Sequence, residues 1–239
     1  MAFIVDGDIL TGNSTLIDMH VHSNCSDGTH NPASLARHAK RRGLGGIAIV
    51  DHAPKLWDSR VIAKRFRLYR DASAHAGFLI LPGVEFSLSE GHVLAIFPSY
   101  DFSLHFGVEA WDLPALSDHV RSAGGILVAA HVFRRSGLGL NSLKYAEYLD
   151  ALEYYPPPQV DFLRKLNLPR IAGSDSHTAL TLGFAATAFE GEVSSLVDAL
   201  ELIRSGHVHP VCRLPYYLRK ILDLTRLLNV RFLVRMLTS

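Results

Sequence analysis

The sequence predicts an α/β fold closed, or nearly closed, into a barrel, and three observations predict it. Short β-rich runs alternate with longer stretches that read as helices, the rhythm of repeated βαβ units around a parallel sheet. Most of the short runs are almost continuously apolar, as expected when a strand is covered on both faces. Seven or eight such units within 239 residues suit a closed barrel better than an open sheet.

In chain order the strand candidates are TLIDMHV (15–21), GIAIVD (46–51), LILPGVEF (79–86), HVLAIF (92–97), ILVAAH (126–131), ALEYY (151–155) and RIAGSD (170–175). Between the first two, Asn31 followed by Pro32 reads as an N-cap and first helical residue, with Gly43 as the stop. Further helices are expected over SRVIAKRFRLYRDASAHA, from Asp112 to Ala123 before the pair Gly124 and Gly125, and over SSLVDALELIRS before Gly206. The run Pro156, Pro157 and Pro158 is a stiff turn after a strand. No linker, fixed-period repeat or low-complexity tract divides the chain, so residues 1–212 are expected to form one domain.

Composition narrows the function classes. With 48% hydrophobic residues the chain can bury one large core. A net charge of +1 provides no general attraction to nucleic acid, so such binding would have to be local. Cys25 and Cys212 form no CxxC pair, which suits a reducing compartment. The start MAFIVDGDIL lacks a basic segment followed by a long apolar one, and no apolar run reaches the roughly 18 residues of a membrane span. A cytoplasmic protein without membrane contact is expected. The tail 213–239 reads as helical, and from Tyr216 onward it is basic, with Arg219, Lys220, Arg226, Arg231 and Arg235 against Asp223. Its charges rotate from one face to another between its two halves, so packing on the barrel or in a homo-oligomer is expected rather than lipid binding.

Histidine is the unusual residue: the chain has 13. In a βα barrel, active sites lie at the C-terminal ends of the strands. There the sequence places His20 and His22, then Asp51 and His52, then Glu85, His131, and finally Asp175 and His177. His92 starts its strand, after a Gly91 turn that would return it to the same rim, and Asp27 follows the first strand in a loop made pliable by Gly28. A single strand-end histidine is more often a hydrogen-bonded core residue than a ligand. Six histidines together with Asp27, Glu85 and Asp175 at one end reverse that expectation, because grouped titratable side chains without a cation leave charges unpaired. His30, His38, His75, His105, His119, His207, His209 and Cys25 are read as structural or solvent-facing, and Glu153 as a supporting or structural residue.

These segments resemble the PHP family, named for polymerase and histidinol phosphatase domains. HVHSNCSDG is similar to the family's first motif, VDH to its second, GVEFS with His92 downstream to the third; AAH at His131 and GSDSH at the end complete the order. The resemblance implies a distorted (β/α)7 TIM-like barrel in a single domain, and a two- or three-metal cluster. It implies that His20, His22, Glu85 and Asp175 hold one ion, that Glu85 bridges to a second held with His92 and His131, and that Asp27, His52 and His177 hold a third. Nitrogen and oxygen donors without sulfur suit zinc, manganese or iron.

The expected chemistry is phosphoester hydrolysis by a metal-bound hydroxide, with Asp175, His177 and Glu85 as candidate catalytic residues and Asp175 or a cluster histidine carrying protons. Arg134 and Arg135, just past His131, are candidate phosphate contacts, and Lys55 a weaker one. Small phosphomonoesters or nucleotides are the preferred substrates. The alternatives are a 3′–5′ exonuclease or oligonucleotide phosphodiesterase, an amidohydrolase-like enzyme acting on C–N bonds, and a non-catalytic, metal-stabilised scaffold associated with RNA.

Overall fold

The computed structural model describes residues 14–101, 112–154 and 165–212, together with two short N-terminal strands, β1 (Ile4–Val5) and β2 (Asp8–Ile9), which pair antiparallel. The tail 213–239, the triple proline and His105 lie outside the described residues. The remaining elements are β3 (Ser14–Val21), α1 (Pro32–Arg41), β4 (Gly46–Ile49), α2 (Ser59–Ala76), β5 (Leu79–Ser87), β6 (His92–Ile96), α3 (Leu113–Ser122), β7 (Ile126–Ala129), the short α4 (Asn141–Lys144), β8 (Ala151–Glu153), β9 (Arg170–Ile171), β10 (Ala185–Glu190), α5 (Leu196–Arg204) and β11 (Val208–Cys212).

Helix starts follow their caps. Asn31, Asp58, Asp112 and Ser195 each accept a hydrogen bond from a backbone N–H of the first turn of α1, α2, α3 and α5 respectively. Pro32 occupies the first turn of α1, where its missing N–H costs nothing.

Nine strands form one sheet in the order β11-β10-β3-β4-β5-β6-β7-β8-β9. Strands β3, β4 and β5 are parallel, as are β7, β8 and β9. The chain after β9 returns to β3: the Met19 amide donates to the Ala172 carbonyl at 3.4 Å and the His22 amide to the Ser176 carbonyl at 2.8 Å. Strands β3 to β9 therefore almost close on themselves. The other half of the same β3 edge pairs antiparallel with β10, whose outer neighbour is β11. This shared edge distorts the barrel.

Two features depart from a plain βα alternation. β6 pairs antiparallel with both β5 and β7, because residues 88–91 form a hairpin turn instead of a helical crossover. The pair β10 and β11 carries no strand signal among the sequence candidates, since AATAFE and VHPVC are short and mixed in character.

Alternate residues of the strands face two apolar layers. The outer layer meets α1, α2 and α3 through residues such as Leu35, Phe66 and Leu116. Phe66 and Phe86 are fully buried there, each contributing roughly 1.5–3 kcal/mol. The inner layer fills the barrel with Ile17, Met19, Ala48, Val50, Leu81, Leu94, Val128 and Ile171, and α5 adds Ala199, Leu200 and Ile203. The same alternation aims His52 (after Ala48 and Val50), Glu85 (after Leu81), His92 (before Leu94) and Glu153 (after Ala151) inward, above that apolar plug.

Candidate metal centre

Two strands break their own alternation to deliver ligands. Met19 faces the inner layer, so simple parity would turn His20 and His22 outward. The β3–β4 register instead shifts between Asp18 and Val21, an extra residue that reverses the alternation and leaves Val21 in the outer layer. Both histidines are then fully buried inside the barrel mouth. At β7 the inner residues are Val128 and Ala130, and His131 reaches the site through a backbone φ of +28°. Asp175 has φ +50°. Positive φ in a side chain other than glycine costs about 1–3 kcal/mol and persists where the surroundings impose it.

The side chains meet around Glu85. Its Oε2 lies 3.3 Å from His22 Nε2, 3.6 Å from His20 Nε2 and 3.0 Å from His52 Nδ1. Its Oε1 lies 2.9 Å from His92 Nδ1 and 3.1 Å from His131 Nε2. Asp175 Oδ1 is 3.5 Å from His20 Nε2 and 3.3 Å from His22 Nε2, and those two nitrogens are 3.1 Å apart. Towards the rim, Asp27 Oδ2 lies 3.0 Å from His177 Nε2 and 3.5 Å from His52 Nε2, and Asp27 Oδ1 3.7 Å from His22 Nδ1. All nine sequence-predicted ligand candidates therefore share one site.

The donor set fits divalent ions. Three groups bring one ligand atom from each residue within 4.8 Å of the others: His20, His22 and Glu85; Glu85, His92 and His131; and His22, Asp27, His52 and His177. Ligands about 2.0–2.1 Å from a tetrahedral ion lie about 3.4 Å from one another, which matches the separations above. Among the described residues, buried His22 Nδ1 and His131 Nδ1 have no hydrogen-bond partner. An orphaned imidazole nitrogen facing a carboxylate, as His22 Nδ1 faces Asp27 Oδ1, is what a bound cation would satisfy. His22 also reaches the rim group, a second contact that residue spacing does not reveal.

Electrostatics make the same demand. Burial opposes ionisation of Glu85, yet His131, His20, His22 and His52 hold its carboxyl far below the ordinary carboxylate range. Asp175 is held low against its burial by His20, His22 and Arg134, and Asp27 by His177 and His52. Asp27 and Glu85 push His52 up to about 10, and burial notwithstanding, Glu153 and Asp175 raise His20. Anionic acids fixed this closely require positive charge beside them, from imidazolium protons or from metal ions.

Supporting contacts fix the ligands. His20 Nδ1 lies 3.1 Å from both carboxylate oxygens of fully buried Glu153, whose Oε2 also accepts the His131 amide at 2.6 Å. Glu153 thus orients ligands from two strands. Two glycines allow close approach: a Cβ on Gly28 would stand 2.4 Å from the His22 carbonyl oxygen, and one on Gly173 would stand 2.3 Å from the His20 nitrogen. Asp51 has the opposite parity to His52, and its carboxylate turns outward to Ser23, Ser26 and Tyr69. Its strand-end position alone does not distinguish it from a ligand.

The two arginines part company. Arg134 ion-pairs with Asp175 at the mouth, whereas Arg135 is exposed and, among the described residues, joins no ion pair of the cluster. Lys55 is also exposed. Elsewhere His30 stacks edge-on with His38, His209 pairs with Glu190, and Cys25 contributes its backbone carbonyl to Arg65.

Comparison with known proteins decides the family. The sequence pattern described as the PHP domain matches residues 18–155, more than half of the chain, and the pattern described as PHP-associated matches residues 160–208. This chain belongs to the PHP family. The PHP fold is shared with PsfC from Pseudomonas syringae, at 20% identity and a TM-score of 0.71, covering 92% of this chain and 100% of that one. It is shared too with a two-domain protein from Bacteroides vulgatus containing a predicted PHP-like metal-dependent phosphoesterase, at 20% identity and a TM-score of 0.66 over 83% of this chain; this chain spans 64% of that protein's length. A lesion-specific endonuclease from Pyrococcus furiosus is similar at 16% identity and a TM-score of 0.59, covering 82% of this chain and 57% of that one. No curated protein matches this chain. Among the described residues no helix is long and apolar enough to cross a membrane.

Proposed function

We propose that this PHP protein hydrolyses small phosphomonoesters or nucleotides at a cluster of two or three divalent ions, zinc, manganese or iron. The observation that carries the proposal is the meeting of three ligand groups in one site, two of them sharing Glu85 and two sharing His22. His20, His22, Glu85 and Asp175 would hold one ion, Glu85, His92 and His131 a second, and Asp27, His52 and His177 a third. Divalent ions in such a site supply Lewis acidity towards water and towards the phosphoryl group.

The chain's own residues supply the rest. Arg134, one-third exposed beside Asp175, presents a guanidinium fork to phosphate oxygens at the mouth. Arg135 is a weaker phosphate contact reached only by loop movement. Asp175, at the mouth beside Arg134, or a cluster histidine such as His177 carries the proton that hydrolysis displaces. Glu85, held ionised among its imidazole partners, shapes the centre.

A net charge of +1 supports small substrates over polymeric DNA. Similarity to a lesion-specific endonuclease supports a second reading, cleavage of phosphodiesters in oligonucleotides, including from 3′ ends. We assign the barrel to the described residues up to 212, in a cytoplasmic protein able to form a homo-oligomer.

The test is elemental analysis of purified protein, with activity measured before and after chelation on p-nitrophenyl phosphates, nucleotides, oligonucleotides and amides. Chelation should abolish phosphomonoester turnover and added metal restore it. Turnover of amides alone would refute the proposal. Metal-loaded protein inert to every phosphoester but binding RNA tightly at physiological salt would establish the scaffold reading in its place.

A further inference from the structure

The nine ligand candidates are built in two different ways. His20, His22, Glu85 and His131 are buried on or just past strands. Asp27 and His52 instead sit in the loops after β3 and β4, and their side chains are 52% and 36% exposed. A loop carboxylate and a loop imidazole need something to hold them, and the structure shows what does so.

Helix α2 reaches both loops. Arg65 sends Nη1 to the His52 carbonyl and Nη2 to the Cys25 carbonyl, each at 2.6 Å. One rigid guanidinium thus ties the backbone of His52 to the backbone two residues before Asp27. One helical turn further on, buried Tyr69 donates its hydroxyl to Asp51, the residue next to His52. The Asp51 carboxylate also accepts the Ser23 amide at 2.7 Å, the Ser23 hydroxyl at 2.5 Å and the Ser26 hydroxyl at 2.5 Å. Ser23 and Ser26 belong to the Asp27 loop. The loops are therefore fastened to each other twice, through a cation on α2 and through an anion capped from α2. None of these groups belongs to the three ligand groups.

We propose that Arg65 and the Asp51–Tyr69 pair are positioning residues for the rim ion subsite of Asp27, His52 and His177, and set its affinity without touching the ion. This rests on the metal-cluster reading above. The strand-built groups around Glu85 have a support of their own in Glu153, which orients His20 and His131. The chain then holds ions of two kinds: those fixed by the barrel, and one whose retention is tuned by a helix outside it.

Mn2+ counted by equilibrium dialysis against the full chain tests this. Wild type should bind three equivalents. Arg65→Met, which keeps the stem and removes both donors, should weaken one equivalent about 10- to 100-fold and leave two unchanged. Tyr69→Phe should weaken the same equivalent less, and Arg65→Lys, able to reach one carbonyl, should restore part of the loss. If all equivalents weaken together, or none does, the clamp has no selective role and the inference fails. Should Arg65→Met not fold, Arg65→Lys decides by the same criterion. Wild type binding only two equivalents overturns the inference alone; wild type binding none overturns the metal reading itself.

Discussion

Replacing Glu153 by Gln tests how much of the centre depends on a residue outside the ligand groups. Glu153 is buried on the inner face of β8, with both oxygens 3.1 Å from His20 Nδ1 and Oε2 accepting the His131 amide at 2.6 Å. Gln has the same shape but one acceptor and one donor. If its carbonyl keeps the shorter bond to His131, its NH2 faces His20 Nδ1 and opposes an N–H there. His20 then favours the tautomer protonated on Nε2, the nitrogen aimed at His22, Glu85 and Asp175, and loses its lone pair for a metal. Outer partners of this kind change metal affinity about 10- to 100-fold, or roughly 1.4–2.7 kcal/mol. Glu153→Ala should cost more, about 2–6 kcal/mol of folding stability, because two buried donors lose their acceptor at about 1–3 kcal/mol each. The assay is metal affinity by dialysis beside a urea melt of each variant. Glu153→Gln with unchanged metal affinity and unchanged turnover would refute the assignment of His20 orientation to this carboxylate.

Arg134→Ala should raise KM for a phosphomonoester about tenfold or more through loss of a charge-assisted pair, with Arg135→Ala near wild type; equal effects in steady-state kinetics would overturn the distinction between them. Gly28→Ala drives a methyl group against the His22 and Ser23 carbonyls, so the loop holding Asp27 must move, and a loss of about 1–3 kcal/mol is expected in thermal melts. Burial pushes Asp18 up to about 6 despite hydrogen bonds from Ser174, Gly183 and His20. Because the folded state binds that proton more tightly than the unfolded chain, stability from this group is full below about pH 4. It falls by about 3 kcal/mol as pH rises through 6. The difference in urea stability between wild type and Asp18→Asn should therefore change across pH 4–6, and a constant difference would contradict the shift.

Much of the fold is legible in the chain because local chemistry agrees with it. The Asn31, Asp112 and Ser195 helix starts follow from side chains that accept the first-turn amides, and the apolar runs of β4, β5 and β7 from burial on both faces. The antiparallel course of β6 is anticipated in effect by the Gly91 turn, which brings His92 back to the rim. Strands β10 and β11 are not legible, since AATAFE and VHPVC become strands by pairing with β3 and with each other rather than by pattern. Arg65 gives no sequence signal at all. It is one of several arginines along α2, and only the approach of two loops selects it.

The sequence by itself determined which residue types gather at strand ends, and period-two alternation was enough to aim His52, Glu85, His92 and Glu153 inward. Tertiary structure alone decided that His20 and His22 face the same way as those four, through an extra residue in the β3–β4 register, and that His131 turns in through a positive φ. Parity is a local property of the chain, fixed by backbone geometry one residue at a time. A bulge or a strained dihedral survives only when partners from distant strands hold it, so it is decided when the barrel closes.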